Sequence, residues 1–102
     1  MGLKEIRVVL NDEELEILKN RDMLKCVYLS LNKLEELALR RDTHDRKQRK
    51  QGICTKRKHA KMCYLTEDDF TDIKYVKLML ELSHAETLRC VLALTDEEYR
   101  RL

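Results

Sequence analysis

Thr55–Leu82 (TKRKHAKMCYLTEDDFTDIKYVKLMLEL) holds the choice between architectures. Thr55 can cap a short helix over Lys56–Cys63, with Tyr64, Leu65 and Thr66 as a tight connection. Thr66, followed by Glu67, Asp68 and Asp69, caps a second helix reaching about Leu82. Ala60 is the small residue at the crossing of the two, and Phe70, Ile73, Val76, Met79 and Leu80 form the inward face of the second helix.

Upstream, Leu24, Val27, Tyr28, Leu31, Leu34 and Ala38 recur at three- and four-residue intervals, which predicts one helix from Met23 to about Arg41. The character then changes. Asp42–Gly52 (DTHDRKQRKQG) has no aliphatic residue, so it is expected to be a mobile basic loop at about 42–53 or a fraying extension of the helix. Nearer the start, Lys4–Leu10 is rich in β-branched residues and runs into Asn11, Asp12, Glu13 and Glu14, which predicts a strand ending at the N-cap of a helix over Asp12 to about Lys19. Downstream, Leu88–Leu94 (LRCVLAL) reads as a buried strand, and Thr95 caps a last helical turn. Asn11–Glu14 and Thr95–Glu98 echo one another, but only the cap matches, so no repeat is assigned. Two strands imply one small sheet, because a lone strand leaves its backbone groups unpaired. The expected fold is one domain over 1–102, mainly α with a two-stranded sheet, in the order β-α-α-(basic loop)-α-α-β-α.

Composition agrees. With 43% apolar residues the chain can build a core, and with no proline and two glycines it has few helix breakers. The net charge of +2 conceals an uneven distribution. Residues 1–37 hold six basic and eight acidic side chains, 38–63 hold ten and two, and 64–102 hold five and nine. Clustered Lys and Arg attract polyanions. No apolar run approaches the roughly 20 residues that span a bilayer, and the N-terminus lacks a signal-peptide layout. The expectation is an intracellular protein, cytoplasmic or nucleoid-associated, without membrane contact and with Cys26, Cys54, Cys63 and Cys90 as free thiols.

The helix–turn–helix pattern of Thr55–Leu82, with a long helix before it and a strand after it, resembles a winged helix-turn-helix DNA-binding domain over residues 23–94. That resemblance implies a recognition helix at Glu67, yet Glu67, Asp68 and Asp69 repel phosphate and cannot donate to guanine. The basic residues precede it, so contact is expected with the backbone. KEIRVVLNDEELEIL at the N-terminus is similar to the opening of ribbon-helix-helix proteins over 4–18, in which paired strands from a dimer enter the major groove. Under that resemblance Lys4 and Arg7 would be reading residues.

Cys54, His59 and Cys63 lie within ten residues, but a structural zinc needs four ligands, of which His44 would be the last, and usually a close Cys pair. No metal or cofactor is expected. Nor is catalysis, since no nucleophile has a nearby base and no Gly-rich loop cradles phosphate. The expectation is a small nucleic-acid-binding protein, a DNA-binding regulator or replication accessory factor. Its contacts are assigned to Arg40, Arg41, Arg46, Lys47, Arg49, Lys50, Lys56, Arg57, Lys58 and Lys61. Duplex DNA is favoured over RNA because Tyr64 is the single aromatic near this stretch. A homodimer is a further expectation, as small DNA-binding domains often pair. The competing reading is a protein-interaction module or inhibitor docking through its two-signed surface.

Overall fold

The computed structural model describes Gly2–Leu102. The chain forms β1 (Lys4–Leu10), α1 (Asp12–Leu18), a 3-10 turn (Met23–Tyr28), α2 (Leu31–Lys50), β2 (His59–Leu65), α3 (Glu67–Leu80) and α4 (His84–Arg89). A second 3-10 turn (Cys90–Ala93) and α5 (Asp96–Arg100) follow. It is mainly helical with one two-stranded antiparallel sheet. The expected caps are in place: Asn11 accepts from the Glu14 amide, Thr66 from the Asp69 amide and Thr95 from the Glu98 amide.

Four expectations are corrected. The helix predicted from Met23 begins at Leu31, because Ser30 accepts from the Lys33 amide in an extended conformation, and Met23 and Cys26 bury themselves from a tighter 3-10 turn. The predicted loop at 42–53 is helical as far as Lys50. Arg, Lys and Gln are good helix formers, and polar anchors replace the missing apolar ones: Asp45 meets Arg57, while His44 and Gln48 meet Glu13. Gly52, at φ 78°, turns the chain out of α2, with its amide on the Arg49 carbonyl.

The predicted helix over 56–63 is extended, and His59–Leu65 is a strand, so Thr55–Leu82 does not build two helices around a turn. Alternation explains it: Cys63 and Leu65 are buried while Met62 and Tyr64 are exposed. Lastly, Leu88–Leu94 is not a strand. Ser83 and Glu86 form a reciprocal capping box that starts α4, and Leu88, Cys90, Val91, Leu92 and Leu94 are all buried. A short apolar run surrounded by core has no period to reveal its type. The sheet thus keeps its expected size but pairs β1 with β2.

That pairing has a local symmetry. The register runs from Lys4 opposite Leu65 to Leu10 opposite His59, centred on Arg7 opposite Met62. The caps at the strand ends, Asn11 and Thr66, are 55 residues apart (66 minus 11), as are Arg7 and Met62 (62 minus 7). A local two-fold between Arg7 and Met62 therefore relates β1 to β2, and each strand is followed by helices, α1 and α2 after β1 and α3 and α4 after β2. Each second helix follows a Leu-Ser pair, Leu29-Ser30 or Leu82-Ser83, whose serine is the cap. The halves differ in length, with α2 having 20 residues and α4 six. Between them lies the core of Val8, Leu10, Leu34, Leu37, Leu65, Ile73, Leu88, Cys90 and Val91.

Candidate nucleic-acid interface

Nine of the ten predicted contact residues separate into two groups, and the tenth, Lys58, lies 3.9 Å from Asp12. Arg40, Arg41 and Arg57 are drawn into the fold. Arg40 donates from Nη1 to the Ala93 carbonyl (3.0 Å) and to Glu98 (2.7 Å), and from Nη2 to Glu36 (3.2 Å). The bond to Glu98 holds the Arg40 guanidinium above its ordinary pKa, and Arg40 with Lys33 holds the Glu98 carboxyl well below the carboxylate range. Arg41 reaches Glu14 at 3.1 Å. Arg57 grips Glu14 with Nε and Nη2 (2.9 and 3.1 Å) and Asp45 with Nη2 (3.0 Å). Burial works against the Arg57 charge, but the hydrogen bonds it donates to Glu14 and Asp45 outweigh it and raise its pKa.

The Glu14 pairs come from the acidic first turn of α1, whose sequence marks it only as a cap. Each acid of the first turn of α1 takes a partner from 41–59: Asp12 meets His59 (2.6 Å) and more loosely Lys58 (3.9 Å), Glu13 meets His44 (2.7 Å), and Glu14 meets Arg41 and Arg57. Glu14 caps as well, accepting from the Asn11 amide at 3.0 Å. No local signal marks this second role, since Glu14 and Arg57 are 43 residues apart in sequence. A cleft of about 230 Å³ between α1 and α2, lined among others by Asn11, Glu14, Arg41 and Asp45, is walled by these mutually bonded groups.

The second group stays free. Arg46, Lys47, Arg49, Lys50, Lys56 and Lys61 are exposed and make no side-chain hydrogen bond or ion pair among the described residues. Helical geometry explains the first four. Arg41, Asp45 and Gln48 form the i, i+4, i+7 line that faces α1 and the 53–58 segment, so positions 46, 47, 49 and 50 turn outward. Lys56 follows in the extended segment and Lys61 stands on β2. The arm is anchored on one side by buried ion pairs and bare on the other.

The structure does not gather Cys54, His59 and Cys63. Cys54 is exposed, His59 pairs with Asp12, and Cys63 is buried on the inner face of β2. Among the described residues no group of three His, Cys, Asp or Glu side chains is arranged to hold a metal ion. No helix among them is long and apolar enough to cross a membrane. Comparison with family models, with curated proteins and with solved structures gives no match for this chain.

Proposed function

We propose that this chain binds nucleic acid through its phosphate backbone, using the outward face of the C-terminal half of α2 together with Lys56 and Lys61. The observation that carries this reading is the division of the basic stretch: three arginines are paired internally, whereas six cations have no partner among the described residues. Side chains that only balanced acids inside the fold would be paired. Bare cations on a rigid arm leave their charge for an external polyanion. Roughly 6 neutralised phosphates give a log–log salt slope near −5 on duplex DNA. A titration of a duplex at rising salt measures it, and changing Arg46, Lys47, Arg49 and Lys50 to Gln should reduce the slope by about 3.5 units. Binding that ignores salt, or that survives this quadruple change, removes the proposal.

A second reading adds to the first, favoured by the two-fold register at Arg7 and Met62. The ribbon-helix-helix resemblance of 4–18 supposes paired antiparallel strands, and here one chain supplies both. The solvent face of that ribbon would then meet base edges while the arm holds the backbone. Of the elements that carried the winged-helix resemblance, a long helix before the turn and the helix at Glu67–Leu80 are present, and the short helix over 56–63 and the strand over 88–94 are not.

A further inference from the structure

An open cavity of about 520 Å³ lies apart from the arm, within the range of about 300–1,000 Å³ usual for small-molecule sites. Phe70, Lys74, Lys77, Leu78 and Glu81 line it at i, i+4, i+7, i+8 and i+11, one face of α3 and its cap, and His84 of α4 completes it. Phe70 stands in the first turn of α3, just after Leu65, and the Lys4 Nζ is 5.9 Å from the centre of its ring. The cavity therefore borders the Lys4–Leu65 end of the sheet, roughly 20 Å from the Leu10–His59 end that meets α1 and the arm. Its charges are out of balance. Lys4, Lys74 and Lys77 enter no side-chain hydrogen bond or ion pair among the described residues, and Glu81 is the only acid in the lining. Apolar surface is bare beside them, with Leu78 81% exposed, more than any other large apolar side chain described. The Phe70 and His84 rings meet edge to face at 5.1 Å, and His84 Nε2 is buried without a hydrogen-bond partner among the described residues. The charged groups about that imidazole are Lys74 and Lys77 from α3, Glu81 at its end, Glu86 on α4 and, beyond Phe70, Lys4 from β1. Burial, then Lys77 and Lys74, hold its pKa below the ordinary 6.5.

We propose that this cavity binds a nucleoside 5′-phosphate, either as a free nucleotide or as the terminal nucleotide of a strand. The phosphate sits between Lys74 and Lys77, the base packs against Phe70 and Leu78, and Glu81 accepts from a ribose hydroxyl. The site is separate from the backbone contacts of the arm and does not depend on them. Each part of the ligand answers one feature of the cavity. Side chains three apart on a helix are neighbours, so the two ammonium groups can straddle one phosphate. Every base has a π-face that an aromatic side chain holds, so Phe70 sets no base preference. Glu81 decides the class. An inorganic phosphate would be repelled by its carboxylate and would leave Phe70 and Leu78 in water, and a phosphorylated phenol has no hydroxyl to donate to it. Glu81 ends α3 at φ 58°, where glycine or asparagine is the ordinary residue, so its carboxylate stands at the rim despite a backbone cost.

Calorimetry of the full chain with adenosine 5′-monophosphate, ribose 5-phosphate and adenosine compares the whole ligand with its halves. Either half should bind at least about tenfold more weakly than the whole. Proton NMR follows the three histidines in the same titration. A phosphate between Lys74 and Lys77 offsets their charge, so the His84 pKa should rise, while His44 and His59, held at the other end by Glu13 and Asp12, should not respond. Lys74→Gln with Lys77→Gln should weaken the nucleotide by about tenfold and leave the salt slope on duplex DNA unchanged. Circular dichroism verifies the fold of that variant, and the comparison of ligands needs no variant at all. A 5′-phosphorylated oligonucleotide that binds as well as the mononucleotide, and weakens when its 5′-phosphate is removed, identifies a strand end as the source. An oligonucleotide that is excluded identifies the free nucleotide. Halves that bind as well as the whole overturn the inference. So does a nucleotide that moves His44 and His59 instead and is lost on changing Arg46, Lys47, Arg49 and Lys50 to Gln, because it then sits on the arm. No nucleotide binding also overturns it, while salt-dependent duplex binding leaves the reading of the arm in place.

Discussion

Replacing Arg57 by alanine removes three charged hydrogen bonds at once, two to Glu14 and one to Asp45. The carboxylates left behind are not equivalent. Glu14, 6% exposed, keeps Arg41 at 3.1 Å and the Asn11 amide at 3.0 Å. Asp45, 9% exposed, keeps no side-chain partner among the described residues. A hydrogen bond to a charged group contributes about 1.5–3 kcal/mol, and breaking a buried pair costs about 3–5 kcal/mol. Because Glu14 remains paired and Arg57 was itself partly open to solvent, the lower end applies, about 3 kcal/mol. With a urea m value of about 1.5 kcal/mol/M for a small domain, the midpoint should fall by about 2 M. Adding Asp45→Ala to Arg57→Ala takes away the stranded charge and should restore roughly 1 kcal/mol. The same variant tests the division of the basic stretch. An Arg57 committed to Glu14 and Asp45 leaves the salt slope of nucleic-acid binding unchanged, whereas a lost phosphate contact lowers it by about 0.9. A midpoint shift below about 0.3 M would refute the structural role, and a reduced slope would return Arg57 to the binding surface.

Three further outcomes are expected. The Glu98 carboxyl is held below its ordinary value of 4.5 by Arg40, Lys33 and the Thr95 amide, so its contribution to stability is complete above that value and is lost as pH falls through the folded one. Glu98→Gln should therefore flatten the acid limb of the stability–pH curve, and an unaltered limb in urea melts would contradict the pairing. Burial pushes the Cys26 thiol up to about 12 and the Cys90 thiol to about 11, whereas Cys54 is exposed. A thiol reagent at mildly alkaline pH should label Cys54 at once and those two only on unfolding, as mass spectrometry of the peptides would report. Gly52→Ala meets no atom within 4 Å but must hold φ 78°, so it should cost about 1 kcal/mol through backbone strain alone, read as a lowered thermal midpoint.

What the sequence determined by itself was local. Asn11, Thr66 and Thr95 mark helix starts because a cap bonds amides only two or three residues away, and apolar spacing places α3 with Ile73 and Val76 inward, although Met79, expected inward as well, is 55% exposed. The excess of charge at 38–63 is likewise a sum over neighbours in the chain. What only the tertiary structure decided was partnership across distance. His59–Leu65 becomes a strand because β1 offers an antiparallel edge and a core face for Cys63 and Leu65, and Leu88–Leu94 becomes helical beneath it. Asp42–Lys50, with nothing apolar to bury, stays helical because Glu13, Glu14 and Arg57 lie far off in sequence and close in space. Bonds to Glu14 and Asp45 withdrew Arg41 and Arg57 from the basic surface, bonds to Glu98 and the Ala93 carbonyl withdrew Arg40, and six cations were left bare. The strands show the division most plainly. A matched cap at 95–98 is legible in the letters, whereas the pairing of β1 with β2 is set by strand register, which exists only once two distant segments have paired.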